Sequence, residues 1–288
     1  MTKQPVNTTE QLKERLSLGK PTDYISHYSP QLLQGVPRQL NRQQLNIVEA
    51  QTLPFSGYDL WNLYELSWLN ENGLPTVAVA EVKIMASSRC LIESKSFKLY
   101  LNSFNQSHFA NFSAVEKVLR RDLAQCAEGE VEVTLSNIDS TFDTRTIPGL
   151  NIDQQDDIKI LSYQLDPSLL EGAADPNLIV HESLNSHLLK SNCLVTNQPD
   201  WASLYIDYQG PKINQQALLK YLVSFRQHNE FHEQCVERIF TDLKHYCQPK
   251  TLTVYARYTR RGGLDINPMR SDDPLASTKL GNWRLIRQ

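Results

Sequence analysis

Much of what would mark a specialised protein is missing from this sequence. Only five cysteines occur in 288 residues. They stand at positions 90, 126, 193, 235 and 247, an odd number with no Cys-x-x-Cys, which argues against a disulfide framework. No apolar run approaches the roughly 20 residues needed to cross a bilayer. The opening stretch "MTKQPVNTTEQLKERLSLGK" lacks the apolar centre of a signal peptide. Together these absences give the expectation of a reduced, soluble, cytoplasmic protein. Net charge is scarce too, at −3, which gives no bulk attraction to nucleic acid or anionic membrane; only Arg257, Arg260 and Arg261 hint at a local basic patch. Neither a G-x-G-x-x-G after a strand nor G-x-x-x-x-G-K-[ST] is present, so a nucleotide, if bound, is not held in the Rossmann or P-loop manner. H-E-x-x-H is absent as well.

What remains is a globular chain. Hydrophobic residues make up 40%, enough for a packed core, and the length suggests about two domains. Residues 9–19 suggest a short helix with Thr8 or Thr9 as N-cap. "YDLWNLYELSWLNENGLPTVAVAEVKIM" predicts two strands around an Asn-Gly turn, and "SFKLYLNSF" alternates like a third strand. Residues 108–129 have helical spacing at Phe112, Val115, Val118, Leu119 and Leu123, and "EVEVTLSNI" returns to a strand. The linker-like "IPGLNIDQQDD" divides the halves. The second half repeats the order: "IKILSYQL" and "SLYIDYQG" as strands, "NQQALLKYLVSFRQH" and "NEFHEQCVERIFTDLKHYC" as helices, and "TLTVYARYT" as a closing strand. The fold class expected is α+β, two architecturally related units with antiparallel sheets and helices on one face. The expected divisions are an extension over 1–50 and units over 51–150 and 151–288.

Four stretches carry candidate chemistry. In "SNCLVTNQPDW", Cys193 and Asp200 flank turn-forming residues; they read either as a buried structural thiol beside an incidental loop, or as a nucleophile with a proton donor. The polar setting suggests a partly exposed thiol able to ionise. In "HNEFHEQC", His228, His232 and Cys235 fall at i, i+4 and i+7, a possible zinc set with His245 or Cys247 as fourth ligand. A core histidine is the plainer explanation, and a third is that His232 and Glu233 hydrogen-bond a polar heterocycle. "ESKSFK" is either a solvated strand edge or a place where Glu93 recognises a ligand and Lys95 a phosphate. "YARYTRRGG" is either a basic turn or an arginine pair for phosphate, with Gly262 and Gly263 allowing close backbone approach. Cys90, Cys126 and Cys247 carry no assigned chemistry.

Taken together, "ESKSFKLYLNSFNQ", "KSNCLVTNQPDW", "FRQHNEFHEQC" and "YARYTRRGGLDINP" resemble the NADPH-dependent 7-cyano-7-deazaguanine reductases, the nitrile reductases of queuosine biosynthesis, in their long two-module form. The resemblance runs from about Leu53 to Arg270. It implies tandem tunnelling-fold (ββααββ) units that assemble into a barrel, a homodimer, and an active site where units meet. It implies four-electron reduction of a nitrile to an aminomethyl group through a thioimide on Cys193, with Asp200 as proton donor and His232 as a further one. It further implies that Ile92, Glu93, Ser94, Phe231, His232 and Glu233 bind the deazapurine. Ser94, Lys95, Arg261 and Gly262 are implied for NADPH, and no metal is implied. Three other classes remain open on the residues alone: a thiol hydrolase of the nitrilase or amidase kind, a zinc cyclohydrolase of the same fold, and a non-enzymatic purine- or pterin-binding module.

Overall fold

The computed structural model describes residues 23–48, 52–140, 144–155, 157–273, 276, 280–282 and 284–288. The helix expected over 9–19 lies outside the described residues. The chain divides into two compact units. The first comprises residues 1–53, 59–141 and 261–265; the second comprises 54–58, 142–260 and 266–288.

The first unit is built on β2 (Ser56–Leu69), β3 (Pro75–Met85) and β5 (Val131–Ser136), in the sheet order β5–β3–β2. The Asn-Gly signal between β2 and β3 marks a real turn: the Asn70 side chain accepts from the N–H groups of Asn72 and Leu74, and Gly73 takes a φ of 81° that other residues avoid. A small sheet pairs β1 (Gly35–Pro37) with β4 (Cys90–Ile92), and the short α1 (Gln39–Arg42) follows β1. Between β4 and β5 come α2 (Ser94–Asn102) and α3 (Phe112–Ala127). In α3 the Asn111 side chain caps the first turn, and Val115, Leu119 and Leu123 are fully buried at a spacing of four.

The second unit has the order β7 (Ala174–Asn192), β8 (Pro199–Ile213), α4 (Gln215–Ser224), α5 (His232–Cys247), β9 (Thr251–Tyr258) and β10 (Leu264–Ser271). This is the full ββααββ sequence. Its sheet order is β10–β9–β8–β7–β6, where β6 (Leu150–Asn151) is a two-residue strand parallel to β7. Val236, Ile239, Phe240 and Leu243 form the buried stripe of α5. The α+β class, with antiparallel-rich sheets, is thus the architecture of the chain.

Three sequence expectations need correction. "SFKLYLNSF" is helical, not a strand. Phe97, Tyr100, Leu101 and Phe104 are all buried at i, i+3, i+4 and i+7, a helical stripe that alternation masked. "IKILSYQL" belongs to no strand, and its Leu161 is 94% exposed; it alternates but joins no strand ladder among the described residues, its Tyr163 carbonyl accepting instead from the Gln227 N–H. The last strand, β10, was not anticipated. Its run "LDINPMRS" contains a proline and charged residues, yet every residue in it is buried; Asp265 and Arg270 are tolerated because they are paired, Asp265 with Asn62 and Tyr64, Arg270 with Glu237.

Candidate active site

The β7–β8 hairpin closes in a six-residue loop, Cys193–Gln198. The Cys193 N–H donates to the Gln198 carbonyl at 2.8 Å, and the Asn197 N–H donates back to the Cys193 carbonyl at 3.1 Å. Asn197 adopts a left-handed φ of 57°, a conformation that asparagine tolerates. The turn residues noted in the sequence therefore do make a tight turn. They do not leave the thiol exposed as expected: Cys193 is 8% exposed. The physical reason is the segment before α5, which lies against the loop. Asn192 donates to the His228 carbonyl at 2.8 Å, and Glu230 donates to the Asn192 carbonyl at 3.1 Å.

Register then explains how the acid reaches this place. In the β7–β8 ladder Ser191 pairs with Asp200 and Asn192 with Pro199. Direct cross-strand partners project from the same face, so Asp200 sits two positions along the ladder from Cys193. In β9, Tyr258 pairs with Ala202, two residues after Asp200, and so shares that face too. The first turn of α5 lies over it. His232 Nε2 is 3.3 Å from Asp200 Oδ2, and the His232 ring stacks on Tyr258 with centroids 3.8 Å apart and planes 5° apart. His232 Nδ1 is buried with no hydrogen-bond partner among the described residues, so Nε2 is the ring nitrogen that faces the acid. Asp200 and Glu233 are each 2% exposed and Phe231 is 9% exposed.

The charges around this centre are tuned by burial. Burial pushes the Tyr258 hydroxyl and the Cys235 thiol well above their ordinary values, so both are neutral at physiological pH. Glu230 is the opposite case. Burial works to raise it, but the His228 ring at 3.0 Å and the hydrogen-bonded Arg238 guanidinium outweigh that and hold it below its usual 4.5. Arg238 Nε contacts both Glu230 oxygens, at 3.0 and 3.1 Å.

The proposed zinc spacing does not hold. α5 begins at His232, so His228 is not on its face; it pairs with Glu230 at 3.0 Å instead. His245 is exposed at the other end of the helix. All five cysteines are free thiols, and among the described residues no group of three or more potential ligands is suited to a metal.

The remaining expected residues belong to the first unit. Ile92 is buried at the end of β4. Glu93, fully buried, is the N-cap of α2: its two carboxylate oxygens accept from the N–H groups of Lys95 and Ser96 at 2.7 and 2.8 Å. Ser94 and Lys95 are half-buried on the first turn, not on a strand edge. Arg261 and Leu264 close the turn before β10, in which Gly262 and Gly263 have φ of 61° and 82°. A Cβ on Gly262 would lie 3.1 Å from Lys98 Nζ, and one on Gly263 would lie 2.3 Å from the Glu65 carboxyl carbon. The paired glycines thus let the turn approach Lys98 and Glu65, themselves 3.9 Å apart. Half-buried Lys95, Lys98 and Arg261 and an exposed glycine are a donor set that fits a phosphate-bearing cofactor. Nothing in the residue pattern singled out Ser191, Tyr258 or Asn229. Alternation alone could have set Ser191 on the same side as Cys193; Tyr258 needed the β8–β9 register.

An α+β unit whose hairpin carries a buried loop thiol, with an Asp–His pair on the same hairpin's strand face, frames the class of protein. Two family models match the chain. One, described as "Nitrile reductase, 7-cyano-7-deazaguanine-reductase N-term", matches residues 24–135. The other, described as "QueF-like protein", matches residues 199–276. Together they cover well over half of the sequence, in the two-module arrangement, and the chain belongs to the 7-cyano-7-deazaguanine reductase family of nitrile reductases in queuosine biosynthesis. It is accordingly an enzyme that acts on a nitrile in that pathway. A solved structure, described as the crystal structure of the archaeosine synthase QueF-Like in the apo form, matches 32% of this chain and 91% of its own, with 16% identity and a TM-score of 0.29. That likeness is too slight to carry an argument. No helix among the described residues is long and apolar enough to cross a membrane.

Proposed function

We propose that this enzyme reduces the nitrile of 7-cyano-7-deazaguanine to an aminomethyl group, through a thioimide on Cys193 and at the expense of two NADPH. The observation that carries the reading is the Asp200–His232 pair, 3.3 Å apart, on the face of the hairpin whose loop begins at Cys193. A nitrile carbon is a modest electrophile. The Cys193 sulfur adds to it, a C–S bond forms, and the thiol proton passes by way of Asp200 to the nitrile nitrogen. NADPH, when bound, supplies hydride. Carbon takes the first hydride and nitrogen a proton; the C–S bond then breaks, one N–H proton passes to the departing sulfur, and the free thiol and a neutral imine remain. A second hydride to carbon and a second proton to nitrogen complete the amine. His232, with Nε2 at 3.3 Å from the Asp200 carboxylate, is assigned to restore the proton that Asp200 gives up.

Phe231 and Glu233, buried beside His232, are assigned to the deazapurine ring, Glu233 as an acceptor for its N–H edge. Ile92, Glu93 and Ser94 are assigned to the same ligand, and Ser94, Lys95, Arg261 and Gly262 to NADPH; for these the family resemblance is the support, together with the cationic turn around Gly262. Burial of Cys193 and Asp200 also suits a reaction whose imine must be kept from water. The working form is taken to be a cytoplasmic homodimer.

The test is stoichiometric. With substrate and NADPH, two NADPH are expected to be oxidised per amine formed, followed at the nicotinamide absorbance band. Release of ammonia without NADPH oxidation would show a thiol hydrolase instead.

A further inference from the structure

The nucleophile loop and the segment that delivers His232 are held together at one side chain. Asn229 Nδ2 donates to the Cys193 carbonyl at 3.2 Å and to Asn197 Oδ1 at 2.9 Å. Its Oδ1 accepts from Asn192 Nδ2 at 3.4 Å. Both amide hydrogens and the amide oxygen are therefore engaged, and every partner belongs to the loop or its stem. The backbone reinforces this: Asn192 and Asn229 form a parallel bridge, with Asn192 bonded to His228 and Glu230 on either side. Three residues after Asn229 comes His232, the first residue of α5. The next residue, Glu230, is locked to Arg238 one turn and a half into that helix. A chain of short, directional contacts thus runs from the Cys193 carbonyl through Asn229 to the base of α5.

We propose that Asn229 is a positioning residue that sets the Cys193 thiol in register with the Asp200–His232 pair. It touches neither the thiol nor the acid. It acts by fixing the carbonyl of the nucleophile and the left-handed Asn197, so that the loop has one conformation. An aspartate in its place would offer no donor and would set a carboxylate against the Cys193 carbonyl, whereas alanine would simply release the loop. Small misplacements matter here, because an error of about 1 Å in an attacking group can cost about 100-fold in rate.

The inference rests on the thioimide reading, and the experiment keeps the two apart. The full-length protein and its Asn229→Ala and Asn229→Asp variants are mixed with 7-cyano-7-deazaguanine without NADPH, and adduct formation is timed by intact mass. In parallel, alkylation of each cysteine by iodoacetamide is followed by peptide mapping. Adduct formation is expected to slow by about 10–100-fold in both variants, while substrate affinity, measured in a Cys193→Ala background, stays within about two-fold. Alkylation of Cys193 is expected to move the other way and become faster as the loop loosens, with Cys90, Cys126, Cys235 and Cys247 unchanged. Wild-type adduct rates, or faster alkylation of all five cysteines together, would overturn the proposal. Absence of any adduct in the wild-type protein would instead end the thioimide reading; the clamp would then stand or fall on the Cys193 alkylation rate alone.

Discussion

The helices that carry the two carboxylate motifs begin in different ways. α2 is closed by its own chain, because Glu93 places both carboxylate oxygens on the N–H groups of its first turn. α5 begins at His232, after Phe231 in the N-cap position, and no side chain caps it; Gln234 accepts only from the Phe231 N–H that precedes the helix. Asp200, which comes from a strand, lies 3.3 Å from His232, the first residue of the helix. One carboxylate is thus held as a fixed acceptor of backbone hydrogen bonds. The other faces a group that can exchange a proton, beside the positive end of a helix, which favours nearby negative charge. A helix end closed by its own side chain serves the fold, whereas one left uncapped keeps its field for chemistry.

That contrast can be broken at several points. The largest effect is expected at Asp200. Asp200→Asn keeps the shape but cannot donate the same proton, so adduct formation should fall by about 100- to 10,000-fold with substrate affinity largely kept; equal losses in both would make Asp200 structural. His232→Asn should be milder, about 10–100-fold in steady-state turnover, because His232 works through Asp200. Glu93 separates the two roles most sharply. Glu93→Ala should lower stability by about 0.5–2 kcal/mol through loss of the cap, while Glu93→Ser, which can still cap, should keep the melting temperature. If Glu93→Ser also kept full turnover, Glu93 would be a cap and nothing more.

The smallest effect concerns pH. Glu230 is held below 4.5 in the fold, so the folded state binds its proton more weakly than the unfolded chain. Its contribution to stability is fully present above that value and is lost as pH falls through the lower, folded value. Glu230→Gln should therefore lower stability near neutrality and flatten its fall on the acid side, where the two proteins converge, as read from denaturant midpoints across pH.

Much of the fold was legible because its strands and helices have clean periods. The Asn-Gly turn, α3, α4, α5 and β9 all follow from spacing. α2 was misread because a helix buried on several sides shows alternation and a 3.6 period at once, and β10 was missed because paired burial of Asp265 and Arg270 hides behind polar letters. The turn between Cys193 and Asp200 was legible in the sequence. The contact of Asp200 with His232, and of His232 with Tyr258, was not, since it depends on the register of three strands and on where α5 begins. His228 shows the same limit: four residues before His232 in sequence, it lies off the helix because the helix starts too late to include it.

The central claim is that Cys193 attacks the nitrile carbon. The most direct measurement is peptide mapping of the protein after incubation with 7-cyano-7-deazaguanine and no NADPH. The account predicts a gain equal to the whole substrate mass on the peptide containing "SNCLVTNQPDW", lost in Cys193→Ala. An adduct on the Cys235 peptide, or none on either, would contradict it.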